Sequence, residues 1–143
     1  MSFRAVLDTN VVLAAKRSTS TTSPNAEVVS RWRAAEFTWL LTHDILNEYA
    51  DKLLELGIAA TDVVDLLVDL GALGELVPIH FFHVRNYPSD ADDTPFLLAA
   101  LNGQASHLVT YDEHLQLVGI FYPEFKTCEP IEFLSDLRKE PQH

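Results

Sequence analysis

Residues 3–15, FRAVLDTNVVLAA, contain the pattern that decides the fold class. Phe3–Leu7 is a short apolar run, which predicts a strand buried inside a sheet. The run ends at three polar residues, 8–10, and Val11–Ala15 then has a helical pattern. A buried strand that leads through a short polar turn into a helix is typical of an α/β fold.

The same alternation of short apolar runs and helical patterns continues along the chain, which predicts an α/β fold with a parallel sheet. In the helix that starts at Thr61, we expect Val64, Leu67 and Val68 to share one apolar stripe. The predicted elements that follow the first two are, in chain order, a helix from Ser23-Pro24 to about Ala35, a strand Phe37–Leu41, a helix capped by Thr42 and stopped by Gly57, the helix from Thr61, a strand Leu76–Phe82, a helix Pro95–Leu101, a strand Ser106–Thr110, a strand near Phe125–Cys128 and a short helix from Pro130.

The bulk composition limits the class of protein. A length of 143 residues fits one domain, and we expect that domain to cover residues 1–138, with a flexible tail at 139–143. Hydrophobic residues make up 48% of the chain, which disfavours a disordered protein. No apolar run is long enough to span a membrane or to act as a secretory signal, so we expect a cytoplasmic location without membrane contact. Cys128 is the only cysteine, so neither an internal disulfide nor a cysteine-based zinc cluster can form.

The net charge of −11 argues against nucleic-acid binding, because contacts to phosphate need Lys and Arg. Two arrangements would answer this objection. The acidic residues could be concentrated at a metal site, where the cation reverses the local field. Alternatively, the basic residues could cluster on one surface.

Four acidic residues lie after or near the ends of predicted strands. Asp8 directly follows the first strand, and Asp112 follows the fourth by two residues. Asp93 opens the helix after the third strand, and Glu48 lies in the helix after the second, close to its apolar side. Because ligands bind at the carboxyl ends of parallel strands, these acids are expected to converge in one pocket. Each one alone would also suit a cap, a turn or a rim position.

Crowded carboxylates repel one another unless a cation joins them, and their hard oxygen atoms suit Mg²⁺ or Mn²⁺. Such a site supports hydrolysis of a phosphodiester bond. The glycine-rich G-x-x-x-x-G-K loop that would indicate a nucleotide-binding enzyme is absent from the sequence. The third acidic position is ambiguous, because Asp90 and Asp92 compete with Asp93, and we assign Asp93 because it best fits the helix start before Phe96.

Taken together, five ordered motifs resemble the PIN-domain family, and in particular its VapC-type toxin components. Each motif is short, but the set covers nearly the whole chain in the right order. The matching segments are Val6–Val12, Thr42–Tyr49, Asp90–Leu97, Ala105–Asp112 and Cys128–Leu134.

The resemblance implies a three-layer α/β/α sandwich with a central, mostly parallel sheet. It also implies a Mg²⁺- or Mn²⁺-dependent ribonuclease, which would cleave RNA, form a homodimer and be neutralised by an antitoxin protein. The roles that it implies are metal binding and catalysis for Asp8, Glu48, Asp93 and Asp112, with Asn10 and Thr110 as hydrogen-bonding residues that orient these acids.

Two other functions remain open from the sequence. A phosphatase with an aspartyl nucleophile also places an Asp after its first strand, although it typically needs a second acid at the position that Asn10 occupies. A non-catalytic module that binds RNA or a partner protein is the other alternative, and the presence of all four acids counts against it.

Overall fold

The computed structural model describes residues 2–20 and 22–139. Within these residues, five strands alternate with seven α-helices, and a short 3₁₀ turn at Ala91–Asp93 precedes the fifth helix. The elements are β1 (Phe3–Leu7), α1 (Thr9–Arg17), α2 (Pro24–Arg33), β2 (Phe37–Leu41), α3 (His43–Glu55), α4 (Ala60–Leu73), β3 (Glu75–Leu76), α5 (Thr94–Asn102), β4 (His107–Val109), α6 (Glu113–Gly119), β5 (Lys126–Cys128) and α7 (Pro130–Lys139).

All the strands pair in parallel, in the order β3-β2-β1-β4-β5. The central strand is β1, whose Ala5 lies opposite Trp39 on one side and His107 on the other. The chain winds outward from β1 in one direction through β2 and β3, and in the other through β4 and β5. The order therefore reverses between β1 and β4, which is where open parallel sheets bind their ligands.

Helices cover both faces of the sheet and form the expected three-layer α/β/α fold. Both faces of the central strand β1 are covered, because the side chains of Ala5, Val6 and Leu7 are completely buried. Strands covered on both faces need such continuous apolar runs, which explains why β1 was recognisable from its sequence. The first two predicted strands, Phe3–Leu7 and Phe37–Leu41, are confirmed with the same bounds.

The ends of α3 also follow the prediction. The Thr42 side chain accepts a hydrogen bond from the amide of Ile45, at 3.1 Å, and so caps the helix. At the other end, Gly57 has a φ of 91°, a left-handed conformation that favours glycine. The helix α2 begins at Pro24 as expected, although Ser23 makes no side-chain capping bond.

The predicted strand Leu76–Phe82 is wrong beyond its first residue. The observed strand β3 contains only Glu75 and Leu76, and residues 77–90 form neither helix nor strand. The physical reason is Pro78, which has no amide hydrogen to donate to a neighbouring strand. The last sheet bond on this side is donated by the amide of Val77 to the carbonyl of Leu41, at 2.7 Å.

The predicted apolar stripe of α4 is also wrong. The helix buries Val63, Leu66 and Leu70, whereas Val64 and Val68 are 56% and 63% exposed. Apolar residues occur on several sides of this helix, so two different stripes fit its sequence, and the packing against α3 selects one of them.

The C-terminal helix α7 includes Lys139, the first residue of the predicted tail. Residues 140–143 of the predicted tail lie outside the described residues. In the part of the chain that the structure describes, no helix combines the length and apolar character needed to cross a membrane.

The orientation of α4 predicts unequal effects of two truncations. Leu66→Ala should lower the free energy of unfolding by about 3 kcal/mol, because it removes a fully buried side chain and leaves a cavity. Val68→Ala, on the exposed face, should change it by less than about 0.5 kcal/mol. Urea unfolding monitored by circular dichroism measures both, and a larger loss for Val68→Ala would contradict the observed orientation.

Candidate active site

The carboxyl ends of β1 and β4 place Asp8 and Asp112 side by side. Leu7 pairs with Val109 in the sheet, and the amide of Asp8 continues this pairing with a 2.9 Å hydrogen bond to the Val109 carbonyl. Asp112 follows β4 after Thr110 and Tyr111. The two acids therefore lie at the point where the strand order reverses.

The Asp8 carboxylate is buried, with 5% of the residue exposed, and both of its oxygen atoms accept hydrogen bonds. Its Oδ1 accepts from the amide of Thr9, at 2.8 Å, and its Oδ2 accepts from the hydroxyl of Thr110, at 2.7 Å. Burial raises the pKa of Asp8, the bonds from Thr110 and Thr9 lower it, and the charge of Asp112 raises it again, with a net increase.

Glu48 reaches the same region from α3, and the neighbouring Tyr49 fixes the position of that helix. The buried Tyr49 hydroxyl donates to the carbonyl of Leu7 and accepts from Nε1 of Trp39, at 3.3 Å. This anchors α3 to the end of β1. The Glu48 carboxylate accepts a hydrogen bond from the hydroxyl of Thr9, and burial is the main cause of its raised pKa.

Asp93 is the buried acid among the three candidates for the third position. It lies at the end of the 3₁₀ turn, with 8% of the residue exposed, whereas Asp90 and Asp92 are exposed. Asp90 caps the turn by accepting from the amide of Asp92, at 2.9 Å. The Oδ2 atom of Asp93 is buried and has no hydrogen-bond partner among the described residues.

Several negative charges act on Asp93 at once. Burial, which is the largest cause, and the charges of Asp8, Asp112, Asp90 and Glu48 together raise its pKa from 3.8 to about 7. Asp112 is half-buried, and its Oδ1 accepts from the first amides of α6, those of His114 and Leu115. The acids therefore belong to one electrostatically coupled group, although they come from four separate parts of the chain.

This group lines a cleft of about 160 Å³. We call it the acidic cleft; its lining residues are Asp8, Thr9, Asn10, Glu48, Lys52, Leu56, Asp90, Asp92, Asp93 and Asp112.

The PIN domain family model matches residues 4–114, which is more than half of the chain. The chain belongs to the PIN-domain family. The matched range contains all the acids of the cleft, from Asp8 to Asp112. PIN domains are generally nucleases, and membership of the family therefore supports a hydrolase that acts on nucleic acid. No curated protein matches the chain.

The donor atoms of this PIN domain suit a hard divalent cation, because the cleft offers carboxylate oxygens and one of them, Oδ2 of Asp93, is buried without a partner. The arrangement is not yet that of a metal site. Across residues 2–20 and 22–139, no three His, Cys, Asp or Glu side chains are positioned to hold one ion. The carboxylates of Asp8, Glu48 and Asp112 are instead engaged by threonine hydroxyls and backbone amides.

The residues that orient the acids in the structure are only partly those predicted from the sequence. Thr110, named from the sequence, bonds Asp8 and also accepts from the amide of Asp112, at 2.9 Å. Asn10 lines the cleft but is exposed, and the bonds to Asp8 and Glu48 come from Thr9 instead. Thr9 is the residue that sequence reasoning missed; its place directly after Asp8, at the start of a helix, was the available signal.

Because its pKa is raised, Asp93 should lower the free energy of unfolding of the metal-free protein, by an amount that depends on pH. Between pH 3.8 and about 7 the folded state binds a proton that the unfolded state lacks, so stability falls as the pH rises through this window. Asp93→Asn removes the charge and should therefore raise the free energy of unfolding at pH 8, in EDTA, by about 1 kcal/mol.

The matched control is Asp65→Asn, since Asp65 is an exposed acid on α4 that does not line the cleft. Urea unfolding at pH 5 and pH 8 measures both variants. The gain of Asp93→Asn should be smaller at pH 5, and a gain that is equal at the two pH values would contradict the proposed titration.

Proposed function

We propose that this PIN domain is an endoribonuclease that depends on Mg²⁺ or Mn²⁺ and uses Asp8, Glu48, Asp93 and Asp112. The observation that carries the proposal is the coupled group of acids at the reversal of the strand order, together with the unpartnered Oδ2 of Asp93. Buried acids without partners are costly to a fold, and a bound cation would remove that cost.

The four acids would hold the metal after their side chains rotate towards one another, since they do not surround a common point in the present arrangement. When bound, a divalent cation would neutralise charge on the phosphate and lower the pKa of a water molecule. Thr110 and Thr9 would keep Asp8 and Glu48 oriented through their hydrogen bonds. Asp93 must release the proton that its raised pKa retains, because metal ligands bind as carboxylates.

The distribution of the basic residues supports an anionic substrate despite the net charge of −11. Lys52 lines the acidic cleft, one helical turn after Glu48, and is 47% exposed. Arg17 donates from Nη2 to the carbonyl of Leu56, another lining residue, at 2.8 Å. Two cations thus lie beside the acids, where the phosphates next to the cleaved bond would pass.

The decisive test is cleavage of labelled single-stranded RNA with Mn²⁺, Mg²⁺ or EDTA. Wild type should cleave only with metal, and Asp8→Asn should lower the rate by at least about 100-fold, because one charged ligand is lost. Asp44→Asn is the matched control, since Asp44 is an exposed acid at the start of α3 outside the cleft. Equal cleavage by wild type and Asp8→Asn would contradict the assigned site.

A non-catalytic binding module is distinguished by a second measurement. A ligand that binds only the native state must stabilise it, so Mn²⁺ should raise the melting temperature of wild type more than that of Asp8→Asn. No shift at millimolar metal, combined with no cleavage, would favour the binding module. An aspartyl phosphatase is disfavoured by the family membership and by the absence of an acid at Asn10.

We further propose that the protein is the toxin of a toxin–antitoxin pair and acts on cytoplasmic RNA as a homodimer. The motif set that resembles VapC-type toxins supports the first part. The exposed apolar side chains of Leu73, at the end of α4, and Leu76, in β3, offer a surface that a second copy could cover.

The toxin proposal predicts growth arrest when the wild-type chain is expressed in bacteria without its antitoxin. Asp8→Asn, produced at the same level, should restore growth, because the arrest would require RNA cleavage. Growth curves and immunoblots of both strains measure this. Normal growth with active wild-type enzyme would reject the toxin role and leave the nuclease proposal intact.

A further inference from the structure

The segment of residues 79–89, IHFFHVRNYPS, exposes aromatic side chains and directly precedes Asp90 of the acidic cleft, and we call it the aromatic segment. Phe81, Phe82 and Tyr87 are 46%, 67% and 58% exposed. Folding does not require three aromatic rings in solvent, whereas base stacking does require accessible ring faces. We propose that the aromatic segment binds unpaired bases of the RNA substrate by stacking; this proposal rests on the proposed ribonuclease function.

The backbone of this segment is fixed, although it has no regular secondary structure. At one end, Oδ1 of Asn102 accepts from the amides of His80 and Phe81, at 2.8 and 3.2 Å, and its Nδ2 donates to the Phe81 carbonyl. At the other end, the Tyr122 hydroxyl accepts from the amide of Asn86, at 2.8 Å, and donates to its carbonyl.

Side chains strengthen the same attachment. Arg85 pairs with Glu124, at 2.6 Å, and lies over the Tyr122 ring, 4.9 Å from its centre. Val84 and Pro88 point into the protein and are buried. The exposed rings are therefore presented by a backbone that is already ordered, which lowers the entropic cost of binding.

The position of the segment connects it to the proposed site of cleavage. Tyr87 precedes Asp90, a lining residue of the cleft, by three residues, so their Cα atoms lie within about 10 Å. Asn102, which holds the other end of the segment through its hydrogen bonds, is the last residue of α5 and lies about 13 Å along the helix axis from the start of α5 beside Asp93. Of the three exposed rings, Tyr87 is therefore the one closest along the chain to the acids of the cleft.

The charge of the segment fits an RNA strand better than the rest of this acidic chain does. Residues 77–89 contain no Asp or Glu, and they include two exposed histidines, His80 and His83. The segment itself therefore adds no negative charge to this path, and the carboxylate of Glu124 beside it is paired with Arg85. Stacking on neutral rings also needs no excess of basic residues, which suits a chain with a net charge of −11.

The test measures RNA binding separately from cleavage. All variants are made in the Asp8→Asn background, and binding of labelled single-stranded RNA of about 4 and about 12 nucleotides is followed by fluorescence anisotropy in EDTA. Tyr87→Ala should weaken binding of both lengths by about tenfold, whereas Tyr87→Phe should stay within about twofold of the background. Phe82→Ala should weaken binding of the longer RNA only. Ile131→Ala, on α7, is the control for loss of an equally exposed apolar side chain and should have no effect.

Direct contact is tested by Tyr87→Trp. The two natural tryptophans, Trp32 and Trp39, are buried, so the new indole is an exposed reporter, and stacking on a base should quench its fluorescence.

Unchanged affinity in Tyr87→Ala and Phe82→Ala, or an unquenched indole, would reject the stacking role of the aromatic segment. Cleavage of RNA by wild type in the same case would still support the ribonuclease proposal. No RNA binding and no cleavage by wild type would reject both. If Tyr87→Ala instead dissociates a dimer in sedimentation without changing RNA affinity, the surface belongs to a second copy and the proposal is wrong.

Discussion

The buried Asp8 carboxylate is the constraint on which the site depends. A charge with so little exposure is tolerated only when its oxygens are hydrogen-bonded, and here the partners come from the first residue of α1 and from the end of β4. The same two threonines also bind the neighbouring acids, because Thr9 donates to Glu48 and Thr110 accepts from the amide of Asp112. The central strand, two helices and three acids are thus held in one network.

The sequence predicted the parts of the fold in which one local signal has one structural meaning. The short apolar run of β1 favoured a buried strand, and the capping role of Thr42 depends only on its position before the first turn of α3. Predictions failed where the chain allowed two solutions: α4 has apolar residues on several sides, and the run after Leu76 has strand character that Pro78 cancels.

The acids of the cleft were predictable as a group because parallel strands end at a common edge. Their individual environments were not, since these depend on side-chain contacts between distant parts of the chain. Asn10 and Thr9 illustrate the difference: both are polar residues in the first turn of α1, but only the rotation of the helix decides which of them faces Glu48. Likewise, it is burial in the folded structure, which the sequence does not show, that distinguishes Asp93 from Asp90 and Asp92.

The two proposed parts of the RNA site solve the electrostatic problem of this chain in different ways. At the cleft, carboxylates repel both one another and a phosphate, so the proposed binding there would need a cation. Residues 79–89 contain no acid, and stacking there would supply affinity that does not come from counterion release. Such a division would let a strongly acidic protein bind RNA with little net positive charge, because a bound metal ion would neutralise one phosphate locally while neutral aromatic rings would hold the bases beside it.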